Sequence, residues 1–392
     1  MTRYDLVIVG AGIHGAGVAQ AAAAAGHSVL ILEKRGAAHG TSSRSSKLIH
    51  GGLRYLESGQ FHLVRESLLE RTLMLRNAPD LVHLVPFYIP VYRTTRRRPW
   101  QLRIGLSLYA ALGGFGPGTS FGSVPKNQWD QLDGLDTNDL DAVLLYHDGQ
   151  TDDAALTRAV VRSAVGLGAE VAVPADFIGA ELEPDGAHIS CAVDGQTLSC
   201  HARVLVNAAG PWATQVLERV SPRQQPAAVE LVQGTHIAIP GNTHRGVYYV
   251  EAPQDGRAVF VMPWHGHTLV GTTETAFRGN PDDVHPLPEE VEYLTAIVRH
   301  YFPRYRREEP LGILESFAGL RVLPAATGGA FGRSRETLLE VDRADKPRVL
   351  TIYGGKLTGW RAAAEQTLQR LGSALPAARM RADTRELRLK PD

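Results

Sequence analysis

A glycine triplet between an apolar run and an alanine-rich stretch constrains this chain more than any other feature. Gly10-Ala11-Gly12-Ile13-His14-Gly15 follows Leu6-Val7-Ile8-Val9 and opens a segment that passes through alanine-rich residues 19–25 to Gly26. A second apolar run, Val29-Leu30-Ile31-Leu32, then ends at Glu33. Runs that are apolar at every position suit parallel strands covered on both faces, so the segment reads as a βαβ unit. In such a unit the first glycine permits a tight turn and the second a close backbone approach to a pyrophosphate. The third lets helix and strand pack, and the ligand's charge rests on the helix N-terminus. Glu33 stands at the end of the second strand, where an acid can accept from an adenosine ribose hydroxyl. All the contextual conditions are met, and they predict a dinucleotide site.

The remainder of the chain continues the alternation. Phe61, Val64, Leu68 and Leu75 fall at helical spacing up to Ala78-Pro79, which ends that helix. A helix over 153–167 leads into the strand Glu170-Val171-Ala172-Val173. Two turn signals, Pro184-Asp185-Gly186 and Asp194-Gly195, separate three strand-like runs of a meander ending at 206–210. Residues 226–275 are strand-rich, 289–301 read as a helix, and a last strand at 349–353 is followed by Gly354-Gly355 and a helix over 358–371. At roughly 150 residues per domain, 392 residues make two or three folding units. Lys+Arg and Asp+Glu both number 41, which argues against a nucleic-acid binder. No apolar run is long enough to span a bilayer, and the first strand leaves no room for a signal peptide, so a cytoplasmic chain is expected. Cys191 and Cys200 flank the Asp194-Gly195 turn; Cys191 then faces Leu198, so plain thiols are expected rather than a disulfide. No metal site is expected.

The fingerprint alone does not separate NAD from FAD. The closing unit, a strand followed by Gly354-Gly355-Lys356-Leu357-Thr358 and a helix, favours FAD: it sets a helix N-terminus and one of only six lysines at a strand end. A reduced flavin gathers negative charge that such a cation or dipole stabilises. The small residues at 206–210 end a strand that can approach the same ligand. The most distinctive segment is Gly40-Thr41-Ser42-Ser43-Arg44-Ser45-Ser46-Lys47-Leu48-Ile49-His50-Gly51-Gly52-Leu53-Arg54-Tyr55-Leu56, which follows the ribose-binding strand and precedes a long helix.

That segment closely resembles the signature of FAD-dependent glycerol-3-phosphate dehydrogenases, in the D-amino-acid-oxidase-like flavoprotein superfamily. The resemblance continues through Val206-Asn207-Ala208-Ala209-Gly210-Pro211-Trp212, Gly234-Thr235-His236-Ile237, Pro263-Trp264, Gly271-Thr272-Thr273, Gly319-Leu320-Arg321 and Gly354-Gly355-Lys356-Leu357-Thr358, covering residues 4–372. It implies an α/β fold: a Rossmann-type FAD-binding domain (parallel sheet plus β-meander) over 1–80, 141–215 and 322–375. Interleaved with it is an antiparallel-sheet α+β substrate domain over 81–140 and 216–321, and a tail over 376–392 follows. It further implies that Gly10, Gly12, Ile13, His14, Gly15, Glu33, Lys34 and Val173 hold the ADP half of FAD. Thr41, Ser42, Ser43, Ser46, Lys47, His50, Gly51, Ala208, Gly210, Gly355, Lys356, Leu357 and Thr358 would lie along the pyrophosphate and flavin. Arg54, Tyr55, His236, Thr273, Arg321 and Lys356 would face the substrate. The implied reaction oxidises sn-glycerol 3-phosphate to dihydroxyacetone phosphate, with hydride passing from C2 to flavin N5 and electrons onward to a quinone, or to oxygen in an oxidase. Arginines suit a phosphate monoester, and His50 is the candidate base for the hydroxyl proton, with His236 its competitor.

Two departures stand out: Glu274 follows Gly271-Thr272-Thr273 where the family usually has Asp, and the chain ends at Asp392 where many members continue into a helical C-terminal domain. A short member is therefore expected. Between Leu81 and Trp129 there is no acid, but there are Arg93, Arg96, Arg97, Arg98, Arg103 and Lys126, followed or flanked by Trp100, Leu102, Ile104, Leu106, Leu108 and Tyr109. This pattern suits either peripheral attachment to an anionic membrane surface or a solvated loop leading into a core helix. Two alternatives remain. One is an oxidase or dehydrogenase of a 2-hydroxy or amino acid; the other is a non-catalytic flavin-binding partner subunit.

Overall fold

In the computed structural model, which describes residues 2–116, 118–307, 310–325 and 336–391, the predicted opening unit is present. Strand β1 (Thr2–Val9) leads through the glycines into helix α1 (Ile13–Ala25) and strand β2 (Val29–Leu32). The chain continues as β3 (Leu48–Ile49), α2 (Phe61–Asn77), β4 (Val82–Tyr92), α3 (Pro99–Leu112), β5 (Gly122–Ser123), β6 (Leu140–Thr151) and α4 (Asp153–Gly166). Then come β7 (Glu170–Ala172), β8 (Ala175–Glu183), β9 (Gly186–Val193), β10 (Gln196–Asn207), α5 (Ala213–Leu217) and β11 (Val220–Ser221). Next are β12 (Val229–Ile239), β13 (Val247–Glu251), β14 (Ala258–Trp264), β15 (His267–Gly271), β16 (Thr275–Phe277) and α6 (Pro288–Tyr301). The last elements are β17 (Glu315–Pro324), β18 (Thr337–Val341), β19 (Val349–Gly354) and α7 (Trp360–Leu371).

These strands form two sheets. In the first, the order is β11-β8-β9-β10-β1-β2-β7, with β19 on β10 and β18 on β19. β1 lies parallel to both β10 and β2, so the sheet's centre is buried on both faces. Leu6 and Ile8 pack with α1, α4 and α7 on one face, whereas Val7 and Val9 pack with the meander on the other. That is why β1 and β2 read as apolar at every position. β10 does two jobs: its first half pairs antiparallel with β9, its second half parallel with β1 and β19. In the β9–β10 hairpin Cys191 faces Leu198, as the turn position predicts, and both cysteines are buried free thiols.

The second sheet, ordered β16-β12-β15-β14-β13-β4-β6-β3 with β17 on β12, is largely antiparallel. Its alternating strands bury one face against α6 and the other against α2 and α3. The sheets and the expected domain limits differ at several places: β3, from the 1–80 segment, lies in the second sheet, and β11, from the 216–321 segment, lies in the first. β6 falls mostly inside the 141–215 segment assigned to the first domain, yet it pairs with β4, β3 and β5 of the second sheet. Its residues Val143 and Leu144 are apolar in succession because each faces a different buried layer. No helix among the described residues is long and apolar enough to cross a membrane.

Candidate active site

The glycine fingerprint is shaped by contact rather than by composition alone. Gly10 has φ +104°, and a Cβ there would stand 2.8 Å from the carbonyl oxygen of Ala208 on the neighbouring strand end. A Cβ at Gly15 would stand 2.0 Å from the carbonyl oxygen of Gly10. Neither position has room for a side chain. Helix α1 therefore starts hard against the end of β1, with Gly12 at its N-cap and no side chain of its own capping it. Ser42 Oγ, from the hydroxyl-rich segment, accepts from Ile13 N–H at 2.9 Å. Glu33 is fixed at the end of β2 by the N–H groups of Ala11, Arg35 and Gly36 at 2.7, 2.9 and 3.2 Å. An open helix N-terminus, a side-chain-free turn and an oriented carboxylate make a donor and acceptor set that fits a dinucleotide.

A cavity of about 450 Å³ runs from this turn to the second sheet. Its wall carries Gly10, Gly12, Ile13, His14, Glu33, Lys34, Thr41, Ser42, Ser46 and His50. Arg54, Tyr55, Ala208, Gly210, His236, Arg321, Gly355, Lys356, Leu357 and Thr358 complete the predicted residues that line it. His50 is tied to the far end of the chain: its N–H donates to Thr358 Oγ1 at 3.2 Å, and that hydroxyl lies 3.3 Å from the His50 carbonyl oxygen. Lys356 Nζ sits 4.5 Å from the centre of the Tyr55 ring and 3.2 Å from Ser67 Oγ. Arg321, on β17, is oriented by Thr272 Oγ1 at 2.8 Å and lies 3.6 Å from the Glu274 carboxylate. Across the ladder, a Cβ on Gly234 would stand 2.4 Å from the Arg321 guanidinium. His236 is buried, stacks on Phe317 at 5.0 Å and shares a hydrogen bond with Ser46 at 3.0 Å. Burial, reinforced by the cations of Arg321 and Lys47, holds its imidazole well below the ordinary range, so it is neutral.

Six predicted residues do not reach the cavity wall. Lys47 turns away: its Nζ pairs with buried Asp153 at 2.7 Å, beneath Trp264 and Phe317. Thr273 points to the other side of its strand end, donating to Glu290 at 2.8 Å and accepting from Thr235 N–H. Burial would raise the Glu290 carboxyl, but hydrogen bonds from Thr235, Thr275, Thr273 and Gln233 hold it below the usual carboxylate range. Gly15 lies behind the turn, Gly51 faces Tyr109, Ser43 accepts from Lys47 through its carbonyl, and the Val173 side chain is exposed to solvent. The cavity also gathers residues that no motif reading singled out, Asp148 and Tyr249 among them. Asp148 follows an unremarkable strand pattern, and only its burial beside Arg71 marks it.

A family model described as FAD dependent oxidoreductase matches residues 5–364. The chain belongs to that family. As a FAD-dependent oxidoreductase it is 36% identical over 382 residues to a D-erythritol 1-phosphate dehydrogenase of Brucella abortus (strain 2308), covering 95% of this chain and 74% of the relative. It is 36% identical over 377 residues to a glycerol-3-phosphate dehydrogenase of Pseudomonas aeruginosa, covering 94% and 71%. It is 35% identical over 382 residues to the aerobic glycerol-3-phosphate dehydrogenase of Escherichia coli (strain K12), covering 95% and 74%. Among solved structures, the fold matches a glycerol-3-phosphate dehydrogenase from Bacillus halodurans complexed with FAD, with a TM-score of 0.75 at 24% identity, covering 99% of this chain and 68% of that one. It also matches an L-alpha-glycerophosphate oxidase from Mycoplasma pneumoniae with FAD bound, at 0.74 and 18%, covering 95% of each. The cofactor of this family is FAD, and the donor set around Gly10, Gly12 and Glu33 fits its dinucleotide.

Proposed function

We propose that this flavoprotein oxidises a small phosphorylated polyol at a secondary alcohol, converting sn-glycerol 3-phosphate to dihydroxyacetone phosphate. The observation that supports this reading is the convergence of Arg54, Arg321 and Lys356 with His50 and His236 on the cavity that begins at the glycine turn. A phosphate monoester needs charge-assisted donors, and a guanidinium offers a planar fork of them. On this reading Arg54 and Arg321 take the phosphate, and His50 accepts the proton of the hydroxyl being oxidised. Neutral His236, held by Ser46 and Phe317, orients the substrate without adding charge. Gly10, Gly12, Ile13, His14, Glu33 and Lys34 hold the adenosine and pyrophosphate half of the cofactor. Thr41, Ser42, Ser46 and the turn from Gly355 to Thr358 hold its other half. FAD, when bound, supplies the acceptor for the two electrons leaving the alcohol. The similar relatives whose names specify glycerol 3-phosphate or D-erythritol 1-phosphate support a phosphorylated polyol rather than a free acid.

The electron acceptor we propose is a quinone, reached by peripheral attachment to an anionic membrane. Helix α3 supports this: Trp100, Ile104 and Leu108 are exposed on one stripe, Phe115 just beyond the helix is exposed too, and Arg93, Arg96, Arg98 and Arg103 are exposed nearby in the chain. An apolar stripe rimmed by arginines is what an anionic bilayer surface binds. The test of the substrate assignment is an anaerobic titration of the yellow protein. Loss of flavin absorbance on adding glycerol 3-phosphate is expected. Bleaching by 2-hydroxy or amino acids but by neither glycerol 3-phosphate nor D-erythritol 1-phosphate would overturn it. Faster bleaching by D-erythritol 1-phosphate would move the assignment to the longer polyol.

A further inference from the structure

Helix α3 has a second face. Opposite its exposed stripe, Tyr109 is buried, and its hydroxyl accepts from Gly51 N–H at 2.8 Å while donating to Asp148 Oδ2 at 2.6 Å. Asp148 Oδ1 accepts in turn from Arg71 NH1, on α2, at 2.6 Å, and Arg71 is wholly buried. Burial drives the Tyr109 phenol well above its ordinary range, with the Asp148 charge acting the same way, so the hydroxyl keeps its proton and must accept from Gly51. The contact leaves no slack. A Cβ at Gly51 would stand 2.5 Å from the Tyr109 hydroxyl oxygen and 2.6 Å from Leu68. At Gly52, with φ +77°, a Cβ would stand 2.2 Å from the Tyr55 ring. Two successive glycines beside His50 would otherwise give this loop wide freedom. Instead, Thr358 holds it at the His50 backbone and Tyr109 holds it one residue later.

We infer that Tyr109 is a positioning residue for His50, its phenol, anchored by Asp148 and Arg71, fixing the loop that carries the base. The inference rests on the reading of His50 as the proton acceptor. A buried ion pair contributes little net stability compared with apolar residues of the same volume. Placed one hydrogen bond from the His50 loop, this one sets a backbone position instead. The Arg71–Asp148 pair fixes the phenol's direction, and the phenol fixes the peptide between His50 and Gly51.

Tyr109→Phe removes one oxygen and keeps the ring. In the FAD-loaded enzyme, rapid-mixing measurement of anaerobic flavin reduction by glycerol 3-phosphate should show the rate falling about 10- to 100-fold, the penalty of roughly an ångström of misplacement. The substrate concentration giving half the maximal rate should change by less than about threefold, because the phosphate contacts are untouched. In a His50→Asn background the same change should cost nothing further, since residues acting through one group are not additive. A wild-type rate in Tyr109→Phe, or a loss that multiplies with that of His50→Asn, overturns the inference. A wild-type rate in His50→Asn instead overturns the base assignment, and the two failures are told apart by which single variant is silent. Amide hydrogen exchange over residues 49–53 gives a reading that does not depend on turnover. It should be slow in the wild-type holoenzyme and fast in Tyr109→Phe. Fast exchange of this segment in the wild type overturns the inference even if the variant fails to fold.

Discussion

Arg321, proposed above to take the phosphate, shows how much of a side chain's placement is decided by its neighbours. Its guanidinium lies over the space that Gly234 leaves, against Thr272 and near Glu274. Arg321→Ala should lower kcat/KM for glycerol 3-phosphate on the order of 100-fold, mainly through KM, while the protein stays yellow. Gly234→Ala should reproduce part of that loss by displacing the guanidinium, and an unchanged KM in both variants would remove Arg321 from the phosphate site. A second residue-scale prediction concerns acid. His14 sits at the start of α1, and burial pushes its imidazole down to about 4, opposed in part by a hydrogen bond with the Gly354 backbone. Because the folded value lies below the unfolded one, the unfolded chain binds the proton first as pH falls. The stabilisation is complete above about 6.5 and is lost progressively towards 4, amounting to about 3 kcal/mol for this group. His236 shifts in the same direction. Urea unfolding of the apoprotein at pH 7.5 and pH 5 should show wild type losing more stability than His14→Gln; equal losses would contradict the burial argument. The sequence could nominate His236 and Arg321 because they lie in motifs. It could not show that Lys47 is spent on Asp153, or Thr273 on Glu290, since each partner stands on a different element and nothing in local spacing joins them.

At the scale of elements, what could be read was whatever local chemistry dictates. The β1–α1–β2 unit announces itself because both faces of its strands are covered. The meander does so because Asp194-Gly195 forces a turn with positive φ at both residues, which also fixes Cys191 against Leu198. The membership of β6 in the second sheet was not legible, because its apolar pattern is set by two layers contributed from distant parts of the chain. Helix α3 is the element for which we propose a use beyond packing. Replacing Trp100, Ile104 and Leu108 together by serine should reduce sedimentation with vesicles rich in anionic phospholipid on the order of 100-fold, given about 1.5–3 kcal/mol for each fully buried side chain. Raising the salt concentration should weaken wild-type binding as well. Flavin reduction by substrate should be untouched. Salt-insensitive binding, or binding undiminished by the three serines, would take the bilayer away from this face.

For the whole molecule, the two sheets are stitched together by segments that return from far along the chain. Beyond α7, Arg381 N–H donates to Ala24 at the end of α1, Leu389 N–H donates to Asn77 at the end of α2, and the Leu389 side chain enters the main core. Leu389→Ala should therefore cost about 2–4 kcal/mol, as for a core leucine and not a surface one; a change below about 0.5 kcal/mol in chemical denaturation would show that this segment merely rests on the surface. The same stitching governs how the protein can be made in a cell. Strand β1 leaves the ribosome long before its neighbour β10, which ends at Asn207, and before β19, the strand beyond, which ends at Gly354. At translation speeds of about 5–20 residues per second, β1 finds β2 early but must wait on the order of ten seconds or longer for β10, its other edge unpaired meanwhile. Premature termination before β19 should therefore yield sedimenting aggregates in place of a half-finished enzyme.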